Sequence, residues 1–368
     1  MSDGPVVSGV RPSAYEIPTD VPEADGTLEW DSTTLVLVEV DGAGRTGIGW
    51  TYAPSAAAVV VEDLLGPAVT GRCALDVEAA WSAMVRAVRN AGRPGLVGMA
   101  LSAVDIALWD LAGRLLEQSL PELWGATPAS VELYGSGGFT SYDHDRLDAQ
   151  VAGWLEAGFD KVKIKIGESW GSRVERDLAR TAQVRRLADE STSEPVEVFV
   201  DANGGYGRDQ ACEVGTRLDD LGVSWFEEPV SSDDHDGLDA VRSSVRADVA
   251  AGEYGSDLAY AVHLAPHVDC LQLDVTRCGG YTEWRRIAAD PALAGTDLSG
   301  HCAPYLSLPV AAVTPRLRHV EYFHDHVRVE RSLFDGWAEP HGGRLLAPSA
   351  PGHGLTVRAR DAARHRVR

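Results

Sequence analysis

The chain has 368 residues, 44% of them hydrophobic, enough for one barrel-sized domain and a smaller second one. A formal charge of −22 leaves no basic stripe to release counterions from a phosphate backbone, which excludes nucleic acid as a partner. The five cysteines (Cys73, Cys212, Cys270, Cys278, Cys302) lack C-x-x-C spacing, no run of about 18 apolar residues is read as a membrane span, and no basic-then-apolar leader is found; a cytoplasmic protein with no membrane partner is expected.

In chain order, a polar opening rich in Pro, Asp and Glu leads into an apolar run, Thr33 to Val40, a glycine turn, and a second strand near Ile48 to Tyr52, which reads as a β-hairpin. Gly42-Ala-Gly-Arg-Thr-Gly47 satisfies G-x-G-x-x-G, but a strand follows it where a dinucleotide site needs a helix, so it is read as the hairpin turn. From Val59 to about Leu120 the apolar spacing is helical, and small residues around Met99 to Ala112 suit close packing. Residues 1–127 are therefore expected to form an α+β cap.

Beyond Pro128 eight short apolar runs alternate with helix-length segments: Val131 to Tyr134, Lys161 to Ile166, Val196 to Val200, Val223 to Phe226, Val249 to Ala251, Cys270 to Leu273, Thr296 to Ser299 and His319 to Tyr322. Eight strand-then-helix units predict an α/β fold, a (β/α)8 TIM-type barrel over 128–334, with a doubly wound open sheet as the competing arrangement. The tail, 335–368, carries Gly342-Gly343 and Pro351-Gly352 and is expected to return as a hairpin that completes the cap.

All three lysines, against thirty arginines, fall at Lys161, Lys163 and Lys165. Arginine stays protonated, whereas lysine can be tuned into a base, so the placement points to catalysis. Lys163 and Lys165 share one face of a strand and are expected to look into the barrel mouth; Lys165, nearer the mouth, is the candidate base, with its pKa lowered by the cations beside it. Lys161 is read as a solvated strand entry. Asp201, Glu227 and Glu253 end successive strands at intervals of 26 residues, and converging carboxylates need a cation. An all-oxygen set suits Mg²⁺ better than zinc. Any one of these acids alone is as readily a helix cap. Asn203, two residues past Asp201, is a candidate to steady that ligand or bind substrate. His301 ends the seventh strand, nearly opposite the lysines, and Asp274 of the sixth is placed to hold its other nitrogen. Glu321 ends the eighth strand and, if protonated, would donate to a developing enolate oxygen.

These elements, Val-Lys-Ile-Lys-Ile-Gly at 162–167, Val-Asp-Ala-Asn at 200–203, Glu-Glu-Pro at 227–229, Gly-Glu at 252–253, Asp274 with Gly279-Gly280, His301 and Glu321, resemble the enolase superfamily and within it the mandelate racemase group. The resemblance covers most of the chain. It implies an α+β cap over a modified barrel, one Mg²⁺ on Asp201, Glu227 and Glu253, removal of the proton α to a carboxylate, and a homo-oligomer. The muconate-lactonizing and enolase groups carry a lysine at the sixth strand, and none follows Lys165 here; galactonate-dehydratase-like members carry histidine where Asn203 stands, and glucarate-dehydratase-like members asparagine where Glu253 stands.

With Lys165 and His301 both present, two outcomes remain: racemization of a 2-hydroxy acid, if both exchange the α-proton, or dehydration to a 2-keto-3-deoxy acid, if His301 protonates a departing β-hydroxyl. The segment Tyr15 to Asp31, expected over the mouth, is rich in acids and suits a polyol, so a sugar acid is the expected substrate; Tyr15, Trp30, Trp50 and Tyr52 keep an aromatic acid open. A non-catalytic binding protein on the same fold would have lost the base or the acid. His324-Asp325-His326 is read as a loop beyond the eighth strand, and Gly135-Ser-Gly-Gly-Phe139 as a turn that is also placed to touch substrate.

Overall fold

In the computed structural model, which describes residues 4–127, 129–191 and 194–368, the chain opens with a three-stranded antiparallel sheet, β1 (Val7–Ala24), β2 (Glu29–Gly42) and β3 (Arg45–Tyr52). The β2–β3 hairpin is as expected: Ala43 and Gly44 sit between the paired Gly42 and Arg45 with φ of 46° and 77°, the two positive values a type I′ turn requires. β1 is an addition to the reading. Its Pro12 and Pro18 argue against a central strand, but β1 lies at the sheet edge, where a missing N–H costs no ladder bond.

The long helical region resolves into short pieces between Ala56 and Val69, a helix Val77–Ala87 capped by Asp76, and the core helix Leu96–Leu116. That core helix packs on β3 at very short range. A Cβ at Gly49 would lie 2.4 Å from the Ala103 carbonyl oxygen, and one at Gly47 2.3 Å from that of Ala107, so Gly47 of the apparent dinucleotide motif and its neighbour Gly49 serve helix packing. The 21-residue helix is long and apolar enough to cross a membrane, contrary to the sequence reading, yet 83% of its apolar window is buried inside the protein.

Eight parallel strands then form the barrel: β4 (Ser130–Gly137), β5 (Lys161–Lys165), β6 (Glu197–Asp201), β7 (Val223–Glu227), β8 (Asp248–Ala251), β9 (Cys270–Leu273), β10 (Asp297–Gly300) and β11 (Leu317–Phe323). Each pairs with the next, and β11 closes on β4 through Val320↔Leu133 to Phe323↔Ser136, which excludes the open sheet. Alternation sorts the side chains: Val162, Ile164, Val198 and Val200 join the large core outside the barrel, while Tyr134, Phe199, Trp225, Ala250 and Cys270 form a separate plug inside it.

The tail departs from a self-contained hairpin. Gly342-Gly343 does make a tight turn between His341 and Arg344, but Arg344–Leu346 then adds antiparallel to β4, and Thr356–Val357 pairs with Phe334–Asp335. His353 docks on the cap, its backbone N–H donating to Asp110 and its ring reaching the Ile48 carbonyl. The expected cap–barrel boundary, Pro128, lies outside the described residues. The turn after β1 is pressed on the barrel mouth: a Cβ at Gly26 would lie 2.7 Å from the Ile166 carbonyl oxygen and 2.8 Å from that of Ala202, and Thr140 donates to the Asp25 carbonyl.

Candidate active site

Three carboxylates converge where β6, β7 and β8 end. Asp201 and Glu227 are paired residues of neighbouring strands, and Glu253 follows Gly252, whose φ of 133° and Cβ position 2.4 Å from the Gln272 carbonyl oxygen admit only glycine. One oxygen from each of the three lies within 4.8 Å of the others, and all three residues are buried. Burial, then Asp201 beside it, pushes the Glu227 carboxyl up to about 8. Trp225 Nε1 donates to Glu227 Oε2 at 2.9 Å and fixes its plane.

Lys163 and Lys165 both point into this acidic cluster, since β5 alternation turns Val162 and Ile164 outward. Lys163 Nζ lies 2.5 Å from Glu227 Oε1, 2.9 Å from Glu321 Oε1 and 3.6 Å from Asp201 Oδ2, and has no exposed surface. Lys165 Nζ pairs with Asp201 Oδ2. Burial favours a neutral Lys165, but Asp201, Glu321 and Glu253 together outweigh it and raise the pKa, opposite to the lowering expected from neighbouring cations. The reason is the count of partners: Lys163 opposes the charge, while Asp201, Glu321 and Glu253 support it. Lys161 sits apart at the other end of β5, 3.0 Å from Asp160 and within 4 Å of Glu132 and Glu197 at 3.7 and 3.8 Å.

On the far side of the cluster His301 follows β10 directly. Its Nδ1 lies 2.9 Å from Asp274 Oδ2, and its Nε2 3.2 Å from Glu253 Oε2 and 3.6 Å from Glu321 Oε2. Burial works against a charged ring, yet Cys302, Glu253 and Glu321 around it, with the Asp274 hydrogen bond, push its pKa well above the ordinary value. Asp274 is itself locked by Thr276, whose N–H and hydroxyl both donate to Oδ1 at 2.7 Å. Glu321 is placed differently from a protonated donor. Burial raises its carboxyl, but Lys163, His301 and Lys165 outweigh that and hold it below the usual range, and it accepts from Ser136 Oγ at 2.6 Å and the Cys302 N–H at 3.0 Å.

Residues 18–125 match the mandelate racemase/muconate lactonizing enzyme N-terminal domain, and residues 146–362 the enolase C-terminal domain-like family. The chain belongs to the mandelate racemase group of the enolase superfamily. It is 30% identical to D-galactarolactone cycloisomerase of Agrobacterium fabrum over 97% of both chains, and 29% identical to arabinonate dehydratase of Saccharolobus solfataricus over 88% of both. Among solved structures, a mandelate racemase/muconate lactonizing enzyme-like protein from Rubrobacter xylanophilus is 45% identical with a TM-score of 0.93, covering 98% of this chain and all of that one. A racemase from Streptomyces coelicolor A3(2) with bound magnesium is 27% identical with a TM-score of 0.90 over 98% and 100%. Enolase-superfamily chemistry runs on Mg²⁺, and this is an enzyme of that superfamily.

The residues present fit that ion. The donor set is all carboxylate oxygen, and two more buried oxygens at its edge, Glu228 Oε1 and Asn203 Oδ1, have no hydrogen-bond partner, as expected where a cation or its ligands complete the shell. Glu228 is buried among Glu253, Asp201 and Glu227, which together with burial raise its carboxyl. Asn203, with φ of 46°, donates its backbone N–H to Asp201 Oδ1 at 2.9 Å, so it steadies that carboxylate through its backbone.

Other candidates of this enolase-superfamily site are placed elsewhere. Tyr15 pairs with Leu35 inside the cap sheet and with Arg366 of the tail, and Trp50, fully buried, stacks on Phe334 at 4.0 Å and meets His353. The sequence assigns both to substrate; both instead bind cap to tail. At the mouth it is the other end of the segment that counts: Trp30 Nε1 donates to buried Glu23 at 3.0 Å and its ring meets Phe139. His324, Asp325 and His326 are not a loop but the first turn of helix His324–Leu333, and they diverge, Asp325 to Thr33, His326 to Tyr52 and the Ala303 N–H. In Gly135 to Phe139, Ser136 orients Glu321 and the Gly138 and Phe139 carbonyls accept from Arg180. Sequence reasoning missed Arg277, which joins Glu253 Oε1 at 2.9 Å to Asp274 Oδ2 at 3.4 Å; one arginine among thirty carries no mark.

Proposed function

We propose that this enzyme dehydrates a sugar acid to a 2-keto-3-deoxy acid, with Lys165 as the base and the His301–Asp274 pair as the acid. The observation that supports it is the arrangement across the carboxylates: Lys165 Nζ on the Asp201 side, and His301 Nε2 on the Glu253 side with Nδ1 held by Asp274 at 2.9 Å. Asp201, Glu227 and Glu253 would hold Mg²⁺, which when bound supplies positive charge for the substrate carboxylate. Lys165, which would become neutral once Asp201 is drawn away from it to hold the ion, takes the proton α to that carboxylate at Nζ. His301, held in one tautomer and kept charged by the acids around it, gives a proton from Nε2 to the departing β-hydroxyl. Lys163 and Glu321 stay paired and keep the carboxylates and the His301 loop in register. The turn over the mouth excludes water.

A charged imidazole held by a hydrogen bond to Asp274 and an ion pair with Glu253 favours leaving-group protonation over exchange from both faces. Racemization is the reading to adopt for a substrate without a β-hydroxyl. The dehydratase and cycloisomerase relatives act on sugar-derived acids, which supports a polyol substrate. The test is to incubate the purified protein with Mg²⁺ and a library of mono- and diacid sugars and detect 2-keto-3-deoxy products as semicarbazones. A hit lost in Lys165→Ala and in His301→Ala is expected. Silence across the library, with α-proton exchange of a 2-hydroxy acid in deuterated water, would replace dehydration by racemization.

A further inference from the structure

Cys302, which takes no part in the proposed reaction, stands between the proton donor His301 and Glu321. His301 Nε2, Cys302 Sγ and Glu321 Oε2 stand at mutual distances of 3.3 Å (Nε2 to Sγ), 3.3 Å (Sγ to Oε2) and 3.6 Å (Nε2 to Oε2). A tetrahedral zinc with bonds of about 2.0–2.1 Å to nitrogen, about 2.0–2.2 Å to oxygen and about 2.3 Å to sulfur spaces its ligand atoms roughly 3.3–3.6 Å apart. The three donors already mark one face of that tetrahedron.

Two further observations point the same way. His301 gives its other nitrogen to Asp274 at 2.9 Å, the carboxylate–histidine arrangement that fixes tautomer and ring orientation in metal-bound imidazoles. Glu321 keeps Oε1 on Lys163 and Ser136, so Oε2 is the atom turned to the thiol. The donors also differ in kind from the carboxylate triad: nitrogen, sulfur and oxygen suit zinc, whereas three carboxylates suit the harder Mg²⁺.

We propose that His301, Cys302 and Glu321 form a second, inhibitory metal site that takes Zn²⁺ and shares no ligand with the Mg²⁺ set, although His301 Nε2 would exchange its contact with Glu253 for the metal. On binding, the Cys302 thiol and the His301 imidazolium each release a proton to solvent, and S–Zn, N–Zn and O–Zn bonds form with no change of oxidation state. The inhibitory consequence rests on the function proposed above: with Nε2 coordinated, His301 has no proton to deliver, and excess Mg²⁺ does not relieve the block. Binding itself does not depend on that reading.

The test uses the full chain saturated with Mg²⁺ and titrated with Co²⁺ as a spectroscopic stand-in for zinc. A thiolate-to-cobalt charge-transfer band in the near ultraviolet, complete at one Co²⁺ per chain and bleached by Zn²⁺, is expected. The band is lost in Cys302→Ser and kept when the two partly exposed thiols are removed by Cys73→Ser and Cys212→Ser. Chelator competition should show Zn²⁺ binding weakened about 100-fold in Cys302→Ser, at least as much as loss of an outer-shell partner. If that variant does not fold, Asp274→Asn, which leaves all three ligands, should keep the band and weaken Zn²⁺ about 10–100-fold. No band in the unaltered protein, or a band that survives Cys302→Ser, overturns the site. A band with no dehydration of any sugar acid would sink the proposed activity and leave the metal site standing.

Discussion

Replacing Gly49 by alanine should cost this fold far more than its single methyl suggests. The added Cβ would lie 2.4 Å from the Ala103 carbonyl oxygen, 2.5 Å from the Ala107 nitrogen and 2.9 Å from the Ile106 Cβ, all parts of the core helix Leu96–Leu116. Ordinary contact begins near 3.4 Å, so β3 and the helix must separate by about an ångström. The obstruction is helix backbone, which no rotamer change relieves, so the penalty belongs at the upper end of the about 1–3 kcal/mol typical of overpacking. Retreat of the helix opens a gap elsewhere along the interface that forfeits roughly a quarter to a half of each affected dispersion contact, adding about 1 kcal/mol over some tens of atom pairs. Against this, losing a glycine stiffens the unfolded chain by about 0.4–1 kcal/mol. The net expectation is a loss of about 3 kcal/mol. Gly153 is the matched control: it lies in helix His144–Glu156, exposed, with open space within 4 Å of where its Cβ would stand, and alanine there should stabilise by about 0.8–1 kcal/mol. Equilibrium urea unfolding of the two variants, read as midpoint shifts at constant slope, measures both. A Gly49→Ala midpoint equal to or above that of the unaltered protein would mean that the strand and helix are not in backbone contact.

Asp274→Asn should lower dehydration about 10²–10⁴-fold, since the imidazole loses the partner that fixes its tautomer and its charge, while α-proton exchange driven by Lys165 persists; equal loss of both partial reactions would count against the division of labour. Adding Mg²⁺ at about 100 times its Kd should stabilise the fold by about 2.7 kcal/mol, seen as a rise in Tm that chelation reverses and Asp201→Asn abolishes; a shift that survives Asp201→Asn would move the ion elsewhere. Buried His319, set among Tyr134, Phe199 and Trp225, has its pKa pushed down to about 3 by burial and then by Lys161 and Arg318. The folded value lies below the unfolded one of about 6.5, so between them the unfolded chain binds a proton that the native state refuses, and stability falls by about 1.4 kcal/mol for each pH unit below about 6.5, with no contribution above it. His319→Gln should flatten that part of the acid slope, and an unchanged slope would rule the residue out.

The features legible without a structure are those that one strand and its flanking turn encode locally. Each barrel strand announces itself by an apolar run between turns, and the residues at or just past its end are at the mouth by construction, which is why Asp201, Glu227, Glu253, Asp274 and His301 are legible from the sequence alone. Period-two alternation likewise sent Lys163 and Lys165 inward while leaving Val162 and Ile164 outside. Tertiary structure decided the partners, because those are set by strands far apart in sequence: Lys163 with Glu321, 158 positions away, Arg277 bridging Glu253 and Asp274, and the pairing with Asp201 that raises the Lys165 pKa where neighbouring cations alone would lower it. It also decided the edges. β1, proline-bearing and polar, is a strand only because it borders a sheet, and Tyr15 and Trp50 are packing residues only because the tail returns to cover them. Local pattern fixes which face a side chain takes; only closure of the ring and docking of the cap settle what that face meets, since charge and burial act through space and not along the chain.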